Sequence, residues 1–453
     1  MLEPKVSTTH NMLSRVRRNV AILLGGNGIA SLLGFAALAF NARALGPDQL
    51  GVLALLQAFV VVVTSVFSFD TWQPVIKFGA EAQAANDSER LRDIVMLGFV
   101  YDLAGALAAT VIGFAIVVFS LPLIGIEPQY QTFAGIYCIT ILFSSYSSAK
   151  GVLRLFGRFE LLTAVQVGTS ATSLAAAVSL WFFQAPFTAY VVTYAGLIAA
   201  QSCAIILVAI ALWRSNQLPT LIAPRFNDHL LRKAFMRFSW STSGLSTLNV
   251  VRQSADAFVL AALLGPAATG IYKIAPQIAS LVSRFGDPLQ QVMFPEIAGL
   301  IAQGEHLRLR RILASVFLAG MALLVVVVTG AAVGSDMAVQ VVGGAAYTAA
   351  AVPLLWLAFA HGLTVSGFYL RPTVVTLIGP AAYLGYNLVA TVVFIPALYF
   401  GIILFGIAGA GFAQAAFTVV WFVLNAGALT KQLKITPSDF SDAFRHLAKQ
   451  VRT

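Results

Sequence analysis

Charged residues are scarce in this chain. Only 10% of its 453 residues are Asp, Glu, Lys or Arg, whereas 59% are hydrophobic and the mean hydropathy is +0.85. A soluble domain carries about a quarter charged residues. The chain therefore has too few charges to cover the surface of a soluble globular protein.

Groups that bind metals or perform covalent catalysis are also few. The two cysteines, Cys138 and Cys203, fall inside apolar stretches, where they are expected to be small core residues. The five histidines are scattered without metal-ligand spacing, and no Walker, H-E-x-x-H or nucleophile-elbow sequence occurs. We therefore expect no metal, no cofactor and no enzymatic activity.

What the sequence has instead is long apolar runs, such as residues 20–40 and 314–334. A helix needs about 20 apolar residues to span a bilayer. The chain is thus predicted to be an all-α polytopic membrane protein with twelve transmembrane helices. They are expected at 18–44, 49–76, 92–120, 130–152, 160–183, 186–213, 238–264, 268–296, 310–334, 346–369, 372–397 and 402–429.

Lys and Arg are concentrated in alternate connections between these segments, whereas the intervening connections are nearly free of them. By the positive-inside rule the basic connections are cytoplasmic. An even number of spans then places both termini in the cytoplasm. The net charge of +10 is explained by topology and contact with anionic lipids, without nucleic-acid binding.

The turn "LGPDQLG" at 45–51 returns as "LGPAATG" at 264–270, an offset of 219 residues. Further matches occur at or near this offset: Arg18 with Arg237, Arg92 with Arg311, and Leu153-Arg154 with Leu370-Arg371. We interpret the chain as two pseudo-symmetric parallel six-helix bundles around a central cavity, a plan typical of secondary transporters. The predicted parts are an N-terminal half at 1–215, a cytoplasmic linker at 216–235, a C-terminal half at 236–430 and a cytoplasmic tail at 431–453.

The repeated turn itself is expected to be structural. Proline lacks the amide hydrogen that a helix needs, so Pro47 and Pro266 should end the preceding helices. Gly51 and Gly270 are expected to let the backbone turn tightly into the next helix.

Several segments resemble the polysaccharide biosynthesis flippases of the multidrug/oligosaccharidyl-lipid/polysaccharide exporter superfamily. These are "NARALGPDQLGVLALLQAF", "KGVLRLFGRF" (150–159), "DAFVLAALLGPAATGIYKIAPQIASL" (256–281) and "VMFPEIAGLIAQGEHLRLRRIL" (292–313). The resemblance implies a V-shaped pair of six-helix bundles that moves a polyprenyl-pyrophosphate-linked oligosaccharide across the cytoplasmic (inner) membrane of a bacterium. It implies lipid-linked oligosaccharide and membrane lipids as partners, with the polymerase and other machinery of polysaccharide assembly as candidates.

Charges inside membrane helices are expensive and therefore mark candidate functional residues. The second half carries five of them: Arg252, Asp256, Lys273, Arg284 and Asp287. Their first-half counterparts are uncharged, so the repeated fold does not require charge there. We expect the three cations to hold pyrophosphate or an anionic glycan, and the two aspartates to orient them or carry a coupling proton. The alternative is two self-neutralising pairs, since the spacings of four and three residues place partners on one helix face.

The first half has two carboxylates of its own within predicted helices. Asp70 is a candidate coupling residue, although a role in helix packing is preferred, because polar groups in membrane helices commonly bond across helices. Asp102 carries a weaker signal because it is expected near the headgroup region.

Four further cations are candidates for capturing the lipid headgroup on the cytoplasmic side. Lys150, Arg154 and Arg158 recur every four residues and so share one helix face. Arg371 is the repeat mate of Arg154. The alternative is that they serve only to set topology.

Three other function classes stay open. A small-molecule or multidrug antiporter shares the twelve-helix plan but predicts an acidic cavity. Lipid II flippases usually have fourteen helices. A non-transporting scaffold leaves the buried charges unexplained. The polymerases and glycosyltransferases of polysaccharide synthesis are not expected, because they usually carry large extracytoplasmic loops, whereas every loop here is short.

Overall fold

The fold is known from a computed structural model, which describes residues 8–119, 126–143, 146–221, 229–283, 290, 293, 296–297, 299–434, 436–437, 439–441 and 445, with the backbone alone for 8–24 and 245. In these residues the regular structure is entirely helical. The helices are α1 (Thr8–Phe67), α2 (Trp72–Ala84), α3 (Ser88–Phe119), α4 (Gln131–Leu142), α5 (Ser147–Leu155), α6 (Phe159–Phe182), α7 (Phe187–Ser215), α8 (His229–Leu264), α9 (Pro266–Ser283), α10 (His306–Gly343), α11 (Ala351–Ser366), α12 (Leu370–Leu377), α13 (Pro380–Phe405) and α14 (Ala408–Leu433). Two short 3-10 helices, Pro128–Tyr130 and Ala345–Ala350, precede α4 and α11.

Within the described residues, nine helical runs are long and apolar enough to cross a membrane. The first of them contains two helices that meet at Gly46, and α8 and α9 lie where two further spans are predicted. The predicted twelve-helix fold is thereby confirmed. Large apolar side chains stay exposed along the helices, among them Val111 (66%) and Val333 (83%), as expected where lipid is the solvent.

The two repeated turns use glycine in a way that corrects one expectation. Gly46 and Gly265 have φ of 67° and 88°, so these glycines, directly before the prolines, turn the chain. Gly51 and Gly270 are instead positions of close backbone approach. A Cβ on Gly51 would lie 1.8 Å from the carbonyl oxygen of Pro266, and one on Gly270 would lie 1.9 Å from that of Pro47.

By compactness the chain divides into two units. The first comprises Met1–Leu45 and Val52–Ala255, and the second comprises Gly46–Gly51 and Asp256–Thr453. This division follows packing rather than the sequence repeat, since most of α8 belongs to the first unit. The predicted linker at 216–235 overlaps α8, which begins at His229.

Each unit has its own hydrophobic core. In the first, α2, α3, α5 and α7 pack around fully buried residues such as Ile94, Leu153 and Trp213. In the second, α10, α12, α13 and α14 contribute a core that includes Leu309 and Val374. Burying such side chains stabilises each bundle mainly through close packing in a membrane, where dispersion replaces the hydrophobic effect as the driving force.

Three spans that the sequence predicts as continuous are interrupted. The 49–76 segment breaks between Phe67 and Trp72, and the 130–152 segment breaks between Leu142 and Ser147. The 372–397 segment breaks between Leu377 and Pro380. The apolar runs alone did not indicate where these breaks fall.

Candidate functional site

A buried polar group that links several helices of the first unit is the carboxylate of Asp102, which is 8% exposed in the middle of α3. Its Oδ1 accepts a hydrogen bond from the Thr71 hydroxyl (2.5 Å), and its Oδ2 accepts one from the backbone N–H of Ser148 (2.7 Å). The Ser148 hydroxyl in turn donates to Thr71 (2.9 Å). A single buried carboxylate thus joins three helices.

The position of Asp102 follows from the two helix breaks. Thr71 immediately precedes α2, and Ser148 lies in the first turn of α5, so both partners are at helix N-termini. The first N–H groups of a helix lack intrahelical acceptors and carry a partial positive charge. A carboxylate placed there satisfies a donor and is stabilised by the helix dipoles. This compensation explains how a carboxylate is accommodated within an apolar helix bundle.

Glycines on α3 allow the close approach that these bonds require. A Cβ added to Gly98 would lie 2.4 Å from Ser148 Oγ, and one added to Gly105 would lie 2.4 Å from the Phe67 carbonyl oxygen. Small residues at helix contacts are typical of membrane bundles. The sequence around Asp102 therefore encodes both the charge and the space for its partners.

Asp70 occupies the break between α1 and α2, with a positive φ of 42°. Its carboxylate accepts a hydrogen bond from the Ser246 hydroxyl of α8. Next to it, the Thr247 hydroxyl of α8 donates to the Ser65 carbonyl oxygen (2.7 Å). Asp70 therefore bonds across helices, the geometry expected for the packing role, while its side chain also lines a cavity.

That cavity has a volume of about 310 Å³. Nine of its lining residues are polar and four are aliphatic: Thr64, Ser65, Ser68, Asp70, Tyr146, Gln201, Ser202, Ser246 and Thr247, with Val60, Val61, Ile198 and Val250. All of them belong to the first unit. No cation is among them, so the cavity is polar with a single acidic group.

The cations proposed for headgroup capture differ in their surroundings. Lys150 lies 4.1 Å above the ring of Tyr146, and the half-buried Arg154 lies 4.3 Å above that of Trp72. Arg158 is exposed and forms an ion pair with Glu160 (3.1 Å).

In the second unit, the exposed Arg371 lies 5.9 Å from the ring centroid of Tyr383. Contact with aromatic rings holds Lys150 and Arg154 in place more firmly than an exposed ion pair would.

Of the five charges predicted in the second half, three lie in the described part of the chain. Arg252 is half-buried on α8, and Asp256 is 7% exposed one turn further along the same helix. Asp256 interacts electrostatically with Lys273 on α9. The Thr269 hydroxyl of α9 donates to the Ala257 carbonyl oxygen of α8 (3.1 Å), next to this pair. Arg284 and Asp287 lie outside the described residues.

No cluster of three or more His, Cys, Asp or Glu side chains suited to a metal ion occurs among the residues with described positions. The polar groups described above are hydroxyls, an amide, carboxylates and the cations of both units, with the Asp256–Lys273 pair among them. Such groups bind and orient ligands, and they offer proton acceptors.

Twelve apolar helices with buried charges and a polar cavity are typical of membrane transport proteins. The chain belongs to the polysaccharide biosynthesis protein family, whose model matches residues 16–300. Over 284 residues it is 27% identical to the inner membrane protein YghQ of Escherichia coli K12, covering 62% of this chain and 80% of that protein. It is thus a multi-pass membrane protein with an inner-membrane homologue.

Solved structures agree on the fold. An inward-facing multidrug resistance transporter of the MATE family, in the MOP superfamily, aligns with a TM-score of 0.66 at 14% identity, covering 90% of this chain and 96% of that one. The lipid II flippase MurJ, in an inward closed conformation, aligns with a TM-score of 0.62 at 12% identity, covering 94% and 93%. At such identities the likeness concerns the fold alone.

Sequence reasoning missed the network around Asp102. The only signals available were a carboxylate and nearby glycines on one apolar helix, with hydroxyl residues near the two breaks. Nothing in a single sequence indicates that Thr71 and Ser148, 77 residues apart, meet the same carboxylate.

Proposed function

We propose that this protein is a flippase that translocates a polyprenyl-pyrophosphate-linked oligosaccharide across the cytoplasmic membrane, for exopolysaccharide, capsule or O-antigen synthesis. The observation that carries the proposal is the match of residues 16–300 to the polysaccharide biosynthesis family. The fold shared with a lipid II flippase supports it. Both termini are assigned to the cytoplasm from the distribution of Lys and Arg.

The proposed mechanism is alternating access, in which a substrate site is exposed to one side of the membrane at a time. Arg252, Lys273 and Arg284 supply positive charge for the pyrophosphate or an anionic glycan. Arginine suits this role because its planar fork binds phosphate oxygens in pairs. Asp256 and Asp287 orient these cations or carry a coupling proton, and the electrostatic interaction of Asp256 with Lys273 is consistent with the orienting role.

The cations Lys150, Arg154, Arg158 and Arg371 are proposed to collect the anionic headgroup at the cytoplasmic surface. Stacking of Lys150 and Arg154 on Tyr146 and Trp72 supports this for two of them, because a guanidinium or ammonium held on a ring keeps its remaining donors directed outward. The polymerase and other proteins of polysaccharide assembly are proposed partners.

A multidrug or small-molecule antiporter is the second candidate, since the MATE transporter is similar in fold over 90% of this chain. The cavity beside Asp70 gives that alternative a specific basis, because a carboxylate in a polar pocket attracts organic cations. Lipid II remains a further possible substrate of the flippase mechanism.

Deletion of the gene in its source cell tests the proposal. Surface polysaccharide and the sidedness of lipid-linked saccharide in membrane vesicles are measured together. Loss of polymer with saccharide trapped on the cytoplasmic leaflet, both restored by the wild-type gene, is the expected result. Normal polymer and unchanged sidedness, in a cell without a second flippase gene, would contradict it. Faster uptake of cationic dyes by the deletion strain would favour the antiporter.

Arg252 is then tested by complementation. Arg252→Ala is expected to lower transport at least about tenfold, because removing a charged hydrogen-bond partner costs about 1.5–3 kcal/mol. Arg252→Lys should recover part of the rate. A wild-type rate in Arg252→Ala, at equal protein in the membrane, would remove this residue from the proposed site.

A further inference from the structure

None of the cations assigned to pyrophosphate binding lines the cavity of the first unit. Its polar lining consists of six serine or threonine hydroxyls, one phenol, one amide and one carboxylate. These groups match the hydroxyls of a sugar, which both donate and accept hydrogen bonds. An anionic headgroup would instead require cations or N–H donors, which the lining side chains, apart from Gln201, do not supply.

Several of the lining hydroxyls already donate their hydrogen within the protein. Ser65 donates to the Val62 carbonyl oxygen (2.8 Å) and Ser202 to that of Ile198 (3.0 Å), while Thr247 bonds to Ser65 as described above. A hydroxyl that has used its hydrogen still has lone pairs available. The cavity wall is therefore rich in acceptors, which suits a ligand with many O–H donors.

One lining group lacks a partner. The Oγ1 atom of Thr64 is buried and has no hydrogen-bond partner among the residues that the structure describes. A buried polar atom without a partner is destabilising, because it has lost its hydrogen bonds to water. A ligand hydroxyl in the cavity would satisfy it.

The environment of Tyr146 disfavours an organic cation as occupant. The ammonium of Lys150 lies 4.1 Å above this ring, so one ring face already carries a cation. A second cation in the cavity would meet that positive charge close by. A neutral polyol avoids this repulsion.

The size of the cavity limits what it can hold. At about 310 Å³ it lies at the lower end of the range for small-molecule sites, about 300–1,000 Å³. A single sugar ring or a small part of an oligosaccharide is of the appropriate size. The aliphatic residues Val60, Ile198 and Val250 provide apolar contact for the C–H face of such a ring.

We propose that this cavity is a subsite for an uncharged sugar ring of the transported saccharide, with Asp70 accepting hydrogen bonds from ring hydroxyls and Gln201 both donating and accepting. The proposal rests on the flippase function proposed above and adds to it the part of the substrate that the first unit recognises. Discrimination among sugars then depends on hydroxyl positions, because a site built to bond a hydroxyl rejects an analogue without it.

The test is saturation-transfer difference NMR on the purified full chain in lipid nanodiscs. The probes are neutral methyl glycosides of glucose, galactose and mannose, with tetraphenylphosphonium as the organic cation. Val250→Trp fills the cavity, and Gln201→Leu removes an amide of similar size. Val251→Trp is the matched control, since Val251 is 38% exposed and is not part of the cavity wall.

At least one neutral glycoside is expected to give a signal with the wild type and with Val251→Trp. The signal should disappear in Val250→Trp and fall about three- to tenfold in Gln201→Leu, as the loss of one or two hydrogen bonds implies. Thermal unfolding curves show whether each variant is folded, and Gln201→Leu serves as the test if Val250→Trp is not. Absence of any glycoside signal, a signal that survives in the folded variants, or displacement of glycoside by tetraphenylphosphonium would overturn the proposal.

Complementation of the deletion strain separates this inference from the proposed function. Failure of the wild-type gene to restore polymer and sidedness contradicts the flippase function. If the wild type, Val250→Trp and Gln201→Leu all restore polymer and sidedness fully, the flippase function is supported and the sugar subsite is overturned. Restoration by wild type and Val251→Trp, but not by the two cavity variants, supports both.

Discussion

The two halves of the chain solve the same structural problem with different chemistry. Each has a helix break, between α4 and α5 in the first half and between α11 and α12 in the second. In the first, the carboxylate of Asp102 accepts bonds at the helix break. In the second, the Ser366 hydroxyl donates to the carbonyl oxygens of Gly320 (2.5 Å) and Gly362 (2.8 Å).

The residue at the Asp102 position of the second half is Met321, one residue after Gly320. A helix break therefore does not need a carboxylate on the neighbouring helix, since a serine hydroxyl against a glycine carbonyl serves in its place. The charge at Asp102 is an addition to the common plan, as are the charges of α8 and α9 in the second half. Each half has acquired polar groups that the other lacks, which is consistent with different parts of one substrate being recognised by each.

The largest effect is expected from removing the Asp102 carboxylate. Asp102→Leu leaves the Thr71 hydroxyl and the Ser148 N–H without their acceptor, which should lower the free energy of unfolding by about 2–5 kcal/mol. Thermal unfolding in detergent measures it. The matched control is Met321→Leu, for which a volume-conserving swap costs less than about 1.5 kcal/mol. Equal shifts for the two variants would contradict the role assigned to the carboxylate.

The close helix contacts of both halves should be sensitive to a single methyl group. An added Cβ would lie 2.4 Å from Ser148 Oγ at Gly98 and 2.9 Å from the Ser366 backbone at Gly320. Gly98→Ala and Gly320→Ala are each expected to cost about 1–3 kcal/mol through overpacking.

Gly168 in α6 is the control for these two glycines, because a Cβ there meets nothing within 4 Å. Gly168→Ala should be neutral or stabilising by up to about 1 kcal/mol, since alanine is the better helix former. A destabilisation of Gly168→Ala as large as that of the other two would show that the loss does not come from helix contact.

A smaller effect on stability is expected at Arg154 and Arg371, which correspond to each other in the sequence repeat. Arg154→Gln removes a half-buried cation stacked on Trp72, whereas Arg371→Gln removes an exposed one that is further from its ring. The first should cost about 0.5–2 kcal/mol of stability and the second less than about 0.5 kcal/mol.

Headgroup capture by Arg154 and Arg371 is tested separately, by vesicle binding. The double variant, Arg154→Gln with Arg371→Gln, should weaken binding to vesicles that contain a polyprenyl pyrophosphate if these cations collect the headgroup. Unchanged binding, with topology intact by cysteine labelling, would leave them a topological role only.

The smallest effect concerns the segment after α14. Asp439 Oδ2 accepts bonds from the N–H (2.8 Å) and hydroxyl (3.0 Å) of Thr436, while the neighbouring Phe440 packs on Phe317 (5.5 Å between ring centroids). The backbone N–H of Thr436 lowers the pKa of Asp439, and the charges of Arg310 and Arg311 lower it further. A depressed folded-state pKa means that this stabilisation is present above the usual carboxylate pKa and is lost as pH falls through the folded value.

A trifluoromethyl probe on Ser441→Cys, with both native cysteines changed to serine, reports this docking by fluorine NMR. The probe signal should move from the docked to the undocked position on acidification. In an Asp439→Asn background the signal should already be partly undocked at pH 7 and should change little with pH. Identical titrations in the two backgrounds would exclude Asp439 as the group responsible.

The twelve-helix plan was predictable because the apolar runs, and the alternation of basic with uncharged connections, can be read directly along the sequence. The repeat was also readable, since the two "LGP" turns share their spacing with other residues. Even there, the roles of the glycines differed from expectation: positive φ belongs to Gly46 and Gly265, while Gly51 and Gly270 serve close packing. A sequence states that a glycine is present but not which of its two properties is used.

The candidate site was less accessible to sequence reasoning. Asp70, Asp256 and Lys273 were identifiable because a charge in an apolar run is conspicuous. The cavity was not identifiable from the sequence, because the hydroxyls from α1, α7 and α8 belong to ordinary serines and threonines. Only the fold brings these distant segments together, as when Asp70 accepts a hydrogen bond from Ser246, 176 residues further along the chain. The roles assigned to the charges remain predictions.

The central claim is that the protein moves a saccharide attached to a polyprenyl pyrophosphate. It is tested most directly by reconstituting the purified chain into liposomes that contain such a lipid, with the sugar labelled, and measuring how much of it an impermeant oxidant or lectin can reach over time. The account predicts that the protected inner-leaflet fraction becomes accessible at a rate that rises with the amount of protein and falls in Arg252→Ala. A rate equal to that of protein-free liposomes, from protein that is folded and exports cationic dyes, would contradict it.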